Sequence, residues 1–231
     1  MATVPPIDID IESVANRFVI RAVGWNGYES LLRDVLHDRR SIRVTYDRGD
    51  VELMSPLYPH ERYGYLLGRM VQAITEELDI PICSIRSTTL RRRDMDRGLE
   101  ADEAYYLRNA HLLRGIKNLD LETIPPPDLA IEIEITNSII DRLPVYSALG
   151  VPEIWRFDGE VLIVLLLGAD GVYHPSESSM AFPFVPLAEL VRFIEEHEPG
   201  EDTRWGRSFR TWVREVLLPR FRQGEGEPPV R

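Results

Sequence analysis

Residues 126–159, PPDLAIEIEITNSIIDRLPVYSALGVPEIWRFDG, form the stretch that decides the fold. Large apolar residues alternate with polar or acidic ones from 129 to 136, which predicts a strand with two unlike faces. The spacing over 139–149 predicts a short helix with Pro144 in its first turn and Gly150 just past its end. Residues 153–158 predict another strand. The stretch is therefore interpreted as a strand–helix–strand unit.

The elements on either side extend this unit into a larger domain. Apolar residues at three- and four-residue steps predict a helix over 61–78, the clearest in the chain. The other predicted elements are a helix at 28–36, a hairpin of 41–46 with 51–54, strands at 82–90, 102–107 and 160–167, and helices at 187–197 and 203–221. The order helix, three strands, helix, strand is typical of an α/β or α+β domain.

Composition excludes several classes of protein. The chain has 231 residues, a formal net charge of −11 and one cysteine, Cys83. A strongly basic nucleic-acid coat protein, an intramolecular disulfide and a thiolate metal cluster are therefore excluded. The N-terminus shows no apolar signal core, and the longest apolar run, 161–167, is too short to span a bilayer. We expect a cytoplasmic protein without membrane contact.

Two acids on the central predicted strand indicate a possible cation site. Glu132 and Glu134 share one face, with their Cα atoms about 6.6 Å apart at about 3.3 Å per residue. Two carboxylates at this spacing can converge on one hard cation. Strands disfavour like charges on one face unless something compensates them. The alternative interpretation is that Glu132 and Glu134 lie on a sheet face that is exposed to solvent.

A second acidic element precedes the next predicted strand. Glu100 and Asp102 are two residues apart, so in a strand their side chains would share one face just before the aromatic segment 104–107. Glu61 lies in the first turn of the long helix. Taken singly, each is a solvated acid. Glu61 at a helix start, Asp102 at the opening of one strand, and Glu132 with Glu134 inside the next form the kind of constellation used in divalent-metal phosphodiester hydrolysis. His60, beside Glu61, is either a border of that site or a surface residue at the helix entry.

Basic residues near these acids are candidate substrate contacts. Arg91, Arg92 and Arg93 follow a predicted strand and could bind DNA phosphates, or form a solvated turn balanced by nearby acids. Lys117 is the only lysine in the chain. There is no paired histidine spacing, Gly-rich phosphate loop or nucleophile elbow, so zinc, nucleoside triphosphate and acyl-enzyme chemistry are not supported.

Three stretches resemble the Uma-two (Uma2) family, bacterial restriction-endonuclease-like proteins of the PD-(D/E)XK nuclease superfamily. They are GDVELMSPLYPHERYGYLLGRMV (49–71), GLEADEAYYL (98–107) and the opening stretch 126–159, and the likeness covers roughly 28–190. The resemblance implies an α+β restriction-endonuclease-like fold: an αβββαβ core with a mixed sheet, an N-terminal hairpin and C-terminal helices. It divides the chain into an arm (1–27), a nuclease-like domain (28–198), and a C-terminal helix with a disordered tail (199–231).

The resemblance also implies a catalytic site. Asp102, Glu132 and Glu61 would hold one or two Mg²⁺ or Mn²⁺ ions. The motif lysine is missing, because Glu134 stands two residues after Glu132. Arg142 is the best-placed basic residue on the following helix and could stabilise phosphate, although it cannot accept a proton. Lys117 is the weaker alternative, and Glu134 could instead be a further metal ligand.

The leading hypothesis is a Mg²⁺-dependent endonuclease that acts on DNA, with a homodimer expected by analogy with single-domain nucleases of this type. A binding or scaffold protein on the same fold is the first alternative, because the motif lysine is absent. A nuclease for RNA or for another phosphodiester is the second.

Overall fold

Two six-stranded sheets and the helices around them make up the fold, seen in a computed structural model that describes residues 11–14, 16–36, 42–136 and 138–223. The strands of this part of the chain are β1 (Ile11–Val14), β2 (Arg17–Ile20), β3 (Arg43–Asp47), β4 (Asp50–Met54), β5 (Cys83–Ser84), β6 (Thr89–Arg92), β7 (Arg97–Glu100), β8 (Glu103–Tyr106), β9 (Leu129–Ile133), β10 (Glu153–Phe157), β11 (Leu162–Leu167) and β12 (Tyr173–Ser176). The helices are α1 (Trp25–Ser30), α2 (Tyr58–Leu78), α3 (Leu143–Leu149), α4 (Leu187–Glu195), α5 (Asp202–Trp212) and α6 (Leu218–Arg222).

The two sheets differ in their pairing. The first sheet has the order β1-β2-β4-β3-β7-β6, with antiparallel pairs throughout. The second has the order β12-β11-β10-β9-β8-β5 and is mixed, since β9 and β10 run parallel. A parallel pair needs a crossover connection, and α3 lies in this one. The α+β restriction-endonuclease-like fold expected from the sequence is confirmed, including the mixed sheet that follows α2.

Helix α2 supplies one wall of the main core. Its apolar residues recur on one face, as a stripe at three- and four-residue steps must in a helix. They pack on β9, β10 and the C-terminal helices; the buried α2 members are Leu66, Leu67, Met70, Val71, Ala73, Ile74 and Leu78. The helix ends at Asp79, which has a left-handed backbone (φ 54°).

Strand β9 is buried on both faces. Leu129, Ile131 and Ile133 belong to the main core, whereas Ala130 belongs to a second core with α3. Alternation along the strand places Glu132 on the same face as Ala130. This acid therefore lies on the α3 side of the second sheet and not on a solvated face.

Several boundaries differ from the sequence prediction. The predicted strand 82–90 is two short strands in different sheets, β5 and β6, and β7 was not predicted. Helix α3 begins at Leu143 instead of 139, because the backbone N–H groups of Ile139 and Ile140 donate to Glu52 Oε2 (2.8 and 2.7 Å).

Both ends of the chain differ in part from the expected arm and tail. Residues 11–14 and 17–20 of the predicted arm are strands of the first sheet. The predicted C-terminal helix is α5 and α6, joined by a π-helical segment, Val213–Leu217. Residues 1–10 and 224–231, where a loose arm and a disordered tail were expected, lie outside the described residues.

No described helix combines the length and the apolar character needed to cross a membrane.

Candidate active site

Asp102 and Glu132 are cross-strand neighbours between β8 and β9. The antiparallel register pairs Glu103 with Ile131, so one step further along places Asp102 opposite Glu132. Asp102 Oδ2 accepts a hydrogen bond from the backbone N–H of Ile133 (2.8 Å), which fixes the carboxylate at the strand end. Both acids are buried, with 7% and 8% of their surface exposed. Two like charges so placed repel each other unless cations compensate them.

Arg142 and Tyr146 compensate Glu132. Arg142 lies at the start of α3 and donates from Nη2 to Glu132 Oε1 (2.8 Å) and to the carbonyl of Glu100 (2.6 Å). The Tyr146 hydroxyl donates to the same Oε1. Arg142 and Tyr146 are four residues apart, so one helix face presents both donors. Helix α3, which lies in the connection from β9 to β10, thus contacts Glu132 from the side that faces the first sheet.

Arg43 and His60 flank Asp102. Arg43 Nε lies 3.7 Å from Asp102 Oδ1, and Arg43 also donates to Glu61 Oε1 (3.3 Å). His60 Nε2 lies 3.3 Å from Asp102 Oδ2, and the histidine is only 4% exposed. The surface position considered for His60 is wrong: it is a buried neighbour of Asp102. Arg43 links Asp102 to Glu61, the acid predicted at the start of the long helix.

Burial dominates the protonation of this cluster. It raises the pKa of Glu132, assisted by the nearby negative charge of Asp102 and opposed by Arg142. Burial lowers the pKa of His60, and the acids Asp102 and Glu61 oppose that shift. Near neutral pH the imidazole is therefore neutral, and Glu132 binds a proton more readily than an exposed glutamate does.

Two cavities meet at His60. The larger, about 310 Å³, is lined by Asp102, Arg43, Glu61 and His60 together with Tyr58, Arg62, Gly64, Tyr65, Arg86 and Glu103. The smaller, about 40 Å³, is lined by Glu132, Glu134, Arg142, His60 and Tyr146 together with residues of the β9–α3 loop and the first sheet. The predicted acids thus fall on two adjoining cavities.

The donor set fits a hard cation at the Asp102–Glu132 pair. Asp102 Oδ1 is buried and finds no hydrogen-bond donor among the described residues, which leaves a carboxylate oxygen available as a ligand. Carboxylate oxygens are the ligands that Mg²⁺ and Mn²⁺ prefer. Glu61 is further removed, with a side chain 54% exposed and paired with Arg43. The described residues contain no cluster of three or more acid, histidine or cysteine side chains arranged to hold a metal.

Glu134 lies just beyond β9. Its backbone N–H donates to the carbonyl of Phe157 (2.8 Å), which continues the parallel pairing, and its carboxylate lies 3.4 Å from Arg156 Nε. The side chain is 35% exposed and lines the smaller cavity with Glu132. Arg156 therefore places a positive charge beside Glu134, the acid that stands where the motif has a lysine.

The three consecutive arginines lie away from both cavities. Arg92 pairs with Asp94 (2.5 Å), and Arg93 donates to Asn26 Oδ1 (2.8 Å). Arg91 lines a separate cavity of about 550 Å³, which Lys117 also lines. The structure does not bring these arginines or Lys117 together with Asp102 and Glu132.

Sequence reasoning missed Arg43 and Tyr146. Tyr146 lies four residues after Arg142, so the spacing in the predicted helix already indicated that the two side chains share one face. Arg43 carries no local signal, because it reaches Asp102 only through the pairing of β3 with β7. A residue placed by non-local sheet pairing cannot be identified from sequence spacing alone.

Comparison with known proteins identifies a family. The model of the Uma2 family, described as "Putative restriction endonuclease", matches residues 25–192. No curated protein matches the chain.

Proposed function

The chain belongs to the Uma2 family, and on that premise we propose that it is a metal-dependent nuclease that hydrolyses phosphodiester bonds of DNA. The observation that supports this most directly is the Asp102–Glu132 pair. Two buried carboxylates face each other across neighbouring strands, and one of their oxygens has no hydrogen-bond donor among the described residues. Arg142 and Arg43 each offset part of this buried negative charge, and a bound metal ion would offset the remainder.

Asp102 and Glu132 would hold Mg²⁺ or Mn²⁺, and Glu61 would join them from the rim of the larger cavity. The bound metal supplies polarisation of the phosphate and a water of lowered pKa. Ile133 and His60 fix the Asp102 carboxylate from two sides. These contacts are made by buried groups, so little reorganisation is needed when substrate arrives.

Arg142 is the proposed phosphate-stabilising residue. Its guanidinium is fixed by Glu132 and by the carbonyl of Glu100, and it always carries its charge. A phosphate next to Glu132 would find a cation already oriented by two acceptors. Arg142 cannot accept the proton of an attacking water, so that proton must pass to solvent or to a carboxylate. Glu134, which is part exposed in the adjoining cavity, is the proposed carboxylate.

Arg91, Arg92 and Arg93 remain proposed contacts to DNA outside the reacting site. They lie along and just beyond the edge strand β6. Their effect would be on affinity and on its salt dependence, not on the chemical step. A homodimer is proposed on analogy alone, since two strands require two sites.

A binding or scaffold protein is the second candidate function. The favouring observation is that Arg142 and Tyr146 both donate to Glu132 Oε1 and so satisfy the acid without a metal. In such a protein the arginine would replace the cation permanently. A nuclease for RNA or another phosphodiester is a variant of the leading proposal, separated from it by substrate.

The test is plasmid nicking at low salt with Mg²⁺ or Mn²⁺, because weak DNA contacts are lost as salt rises. The variants are Asp102→Asn and Glu132→Gln, with Glu160→Gln, an exposed acid after β10, as the matched control. We expect cleavage by the wild type and the control and none by the site variants. Metal-dependent cleavage that survives both site substitutions would refute the assignment.

Calorimetry separates the second candidate from the first. A folded wild type that binds neither Mg²⁺ nor Mn²⁺ and nicks no DNA would favour the scaffold function. Cleavage of a labelled RNA but not of DNA would replace the proposed substrate and keep the site.

A further inference from the structure

We propose that the outer face of α2 binds unpaired nucleobases, so that a single-stranded segment of nucleic acid is the preferred substrate. This inference rests on the proposed nuclease function. It concerns a stripe of four residues that alternate in chemistry along the helix: Tyr58, Arg62, Tyr65 and Arg69.

The stripe lies on one face of α2. Its members follow one another at steps of four, three and four residues, which keeps them aligned on a helix. The two tyrosines are exposed, Tyr58 at 71% and Tyr65 at 42%. They are separated by about 10.5 Å along the axis, at about 1.5 Å per residue. Since the apolar stripe of α2 packs in the core, both rings lie on the opposite side, where Tyr58 is the more exposed and Tyr65 has two guanidinium groups over its ring.

Tyr65 is held in place by its two arginine neighbours. The Arg62 and Arg69 guanidinium carbons lie 5.3 and 5.6 Å from the centroid of its ring. Arg69 Nη1 also donates to the Tyr65 hydroxyl (3.3 Å) and to the carbonyl of Asp202 (3.1 Å). Arg62 forms an ion pair with the Asp202 carboxylate. These contacts restrict the ring, and a base that stacks on it would take the place of one of the two guanidinium groups.

The stripe leads into the larger cavity of the candidate active site. Tyr58, Arg62 and Tyr65 line the same space of about 310 Å³ as Asp102 and Arg43. A base that stacks on either ring would therefore place its own phosphates near Asp102. The arginines beside the rings would lie against the strand's backbone.

The chemistry of this face favours an unpaired base over other ligands. Aromatic rings interleaved with guanidinium groups are the combination that binds single strands without sequence preference. Bases inside a duplex are stacked on one another and offer no free face to a side chain. A protein partner would be favoured by a continuous apolar patch, whereas here a cation separates the two rings.

Fluorescence anisotropy tests the inference without requiring cleavage. Wild-type protein in EDTA at low salt is titrated into three labelled probes: a single strand of about 16 nucleotides, the same strand with abasic sites, and a duplex. The variants are Tyr58→Ala/Tyr65→Ala, the ring-preserving Tyr58→Phe/Tyr65→Phe, and Phe18→Ala. Phe18 is a matched control, because it is an aromatic 49% exposed that does not line the cavity.

We expect the wild type to bind the single strand about tenfold or more tightly than the abasic strand or the duplex. The affinity of Tyr58→Ala/Tyr65→Ala for the single strand should fall at least about tenfold, and its affinity for the abasic strand should be that of the wild type. The phenylalanine variant and Phe18→Ala should bind as the wild type does. Melting curves and light scattering show whether the variants fold and whether self-association changes.

Three results would overturn the inference. They are equal affinity for normal and abasic strands, an alanine variant that binds normally, and a phenylalanine variant as weak as the alanine one. A change in self-association on alanine substitution, without a change in affinity, would identify a protein interface instead. Ring-dependent binding without metal-dependent cleavage of the plasmid, of the single-stranded probe or of a labelled RNA would keep the base-binding face and refute the nuclease. Metal-dependent cleavage without ring-dependent binding would keep the nuclease and refute the base-binding face.

Discussion

Arg17 and Glu52 form a buried ion pair that joins the first sheet to the β9–α3 loop. Their side chains are 3% and 2% exposed, and Arg17 Nη1 lies 2.5 Å from Glu52 Oε1. Arg17 Nη2 also donates to the carbonyl of Thr136 (3.1 Å), while Glu52 Oε2 accepts from the backbone N–H of Ile139 and Ile140. The loop between Glu134 and Arg142 is thus fixed by two strands that are distant in the sequence.

We expect Arg17→Met to destabilise the protein by about 3–5 kcal/mol, because it leaves the Glu52 carboxylate buried and unpaired. The matched control is Arg21→Met, which breaks the half-exposed pair with Asp50 next to the same strand. Exposed pairs contribute about 0–1 kcal/mol, so this control should change little. Urea unfolding measures both free energies. Equal effects of the two substitutions would contradict the importance assigned to burial.

The same substitution should free the loop locally. Amide hydrogen exchange of Ile139 and Ile140 should accelerate in Arg17→Met beyond the increase that lower global stability explains. Arg21→Met should leave their exchange as in the wild type. Unchanged exchange at both amides in Arg17→Met would show that Glu52 holds the loop without its arginine.

Removing the Tyr146 hydroxyl should cost more than removing another buried tyrosine hydroxyl. At pH 9, above the pKa of about 8 to which burial raises Glu132, Tyr146→Phe deletes a donor to an ionised carboxylate, a kind of hydrogen bond that contributes about 1.5–3 kcal/mol. Tyr173→Phe deletes a donor to the neutral carbonyl of Val151 (2.5 Å), which should cost about 0.5–1.5 kcal/mol. Paired urea unfolding curves give the comparison. The prediction fails if Tyr173→Phe is the more damaging change.

The buried Glu132 should make stability depend on pH in a defined direction. Burial raises the pKa of Glu132 above its ordinary value of 4.5. As pH rises above about 4.5, the unfolded chain releases this proton while the folded protein retains it, so the stability contributed by Glu132 falls. Glu132→Gln removes the titration. The stability of the wild type relative to this variant should therefore decrease as pH rises from 4 to about 8.

Urea midpoints at several pH values test that trend. Glu160→Gln, an exposed substitution, should show no comparable change relative to the wild type. A wild type that gains stability relative to Glu132→Gln as pH rises would mean that Arg142 outweighs burial and lowers the pKa of Glu132.

Gly98 and Tyr28 should be energetically coupled. A Cβ at Gly98 would lie 2.5 Å from the Tyr28 hydroxyl oxygen and 3.1 Å from Arg91 Cβ. Gly98→Ala should therefore cost about 1–3 kcal/mol through overpacking. The Tyr28 hydroxyl is buried without a hydrogen-bond partner among the described residues, so Tyr28→Phe should be neutral or stabilising. The double variant Gly98→Ala/Tyr28→Phe should recover part of the stability that Gly98→Ala loses. If the two changes in unfolding free energy are strictly additive, the clash is relieved elsewhere.

Local patterns predicted the parts of the fold that lie close together in the chain. The apolar stripe of α2 and the alternation along β9 were visible because helices and strands have fixed periods. Arg142 was indicated by the family resemblance, as the basic residue on the helix after Glu132 that could replace the motif lysine, and not by a periodic pattern. Strand β7 was missed because RGLE contains glycine and charges, and its strand conformation comes from its neighbours β3 and β6.

The rest of the candidate site depends on sheet pairing. Arg43 reaches Asp102 from β3, and Arg17 reaches the β9–α3 loop from a strand that precedes the matched family region 25–192. Both are separated from their partners by more than fifty residues of sequence. No spacing rule indicates such contacts, since they follow from the order of strands in the first sheet.

The two cavities that meet at His60 differ in size, and this difference limits what each of them can admit. A water molecule needs about 10–15 Å³ of such space, so the 40 Å³ beside Glu132 and Glu134 holds a few waters and no nucleotide. The larger space, at Asp102, is about 310 Å³. In the proposed nuclease, the strand would therefore enter the space at Asp102, and the space beside Glu132 and Glu134 would admit water alone.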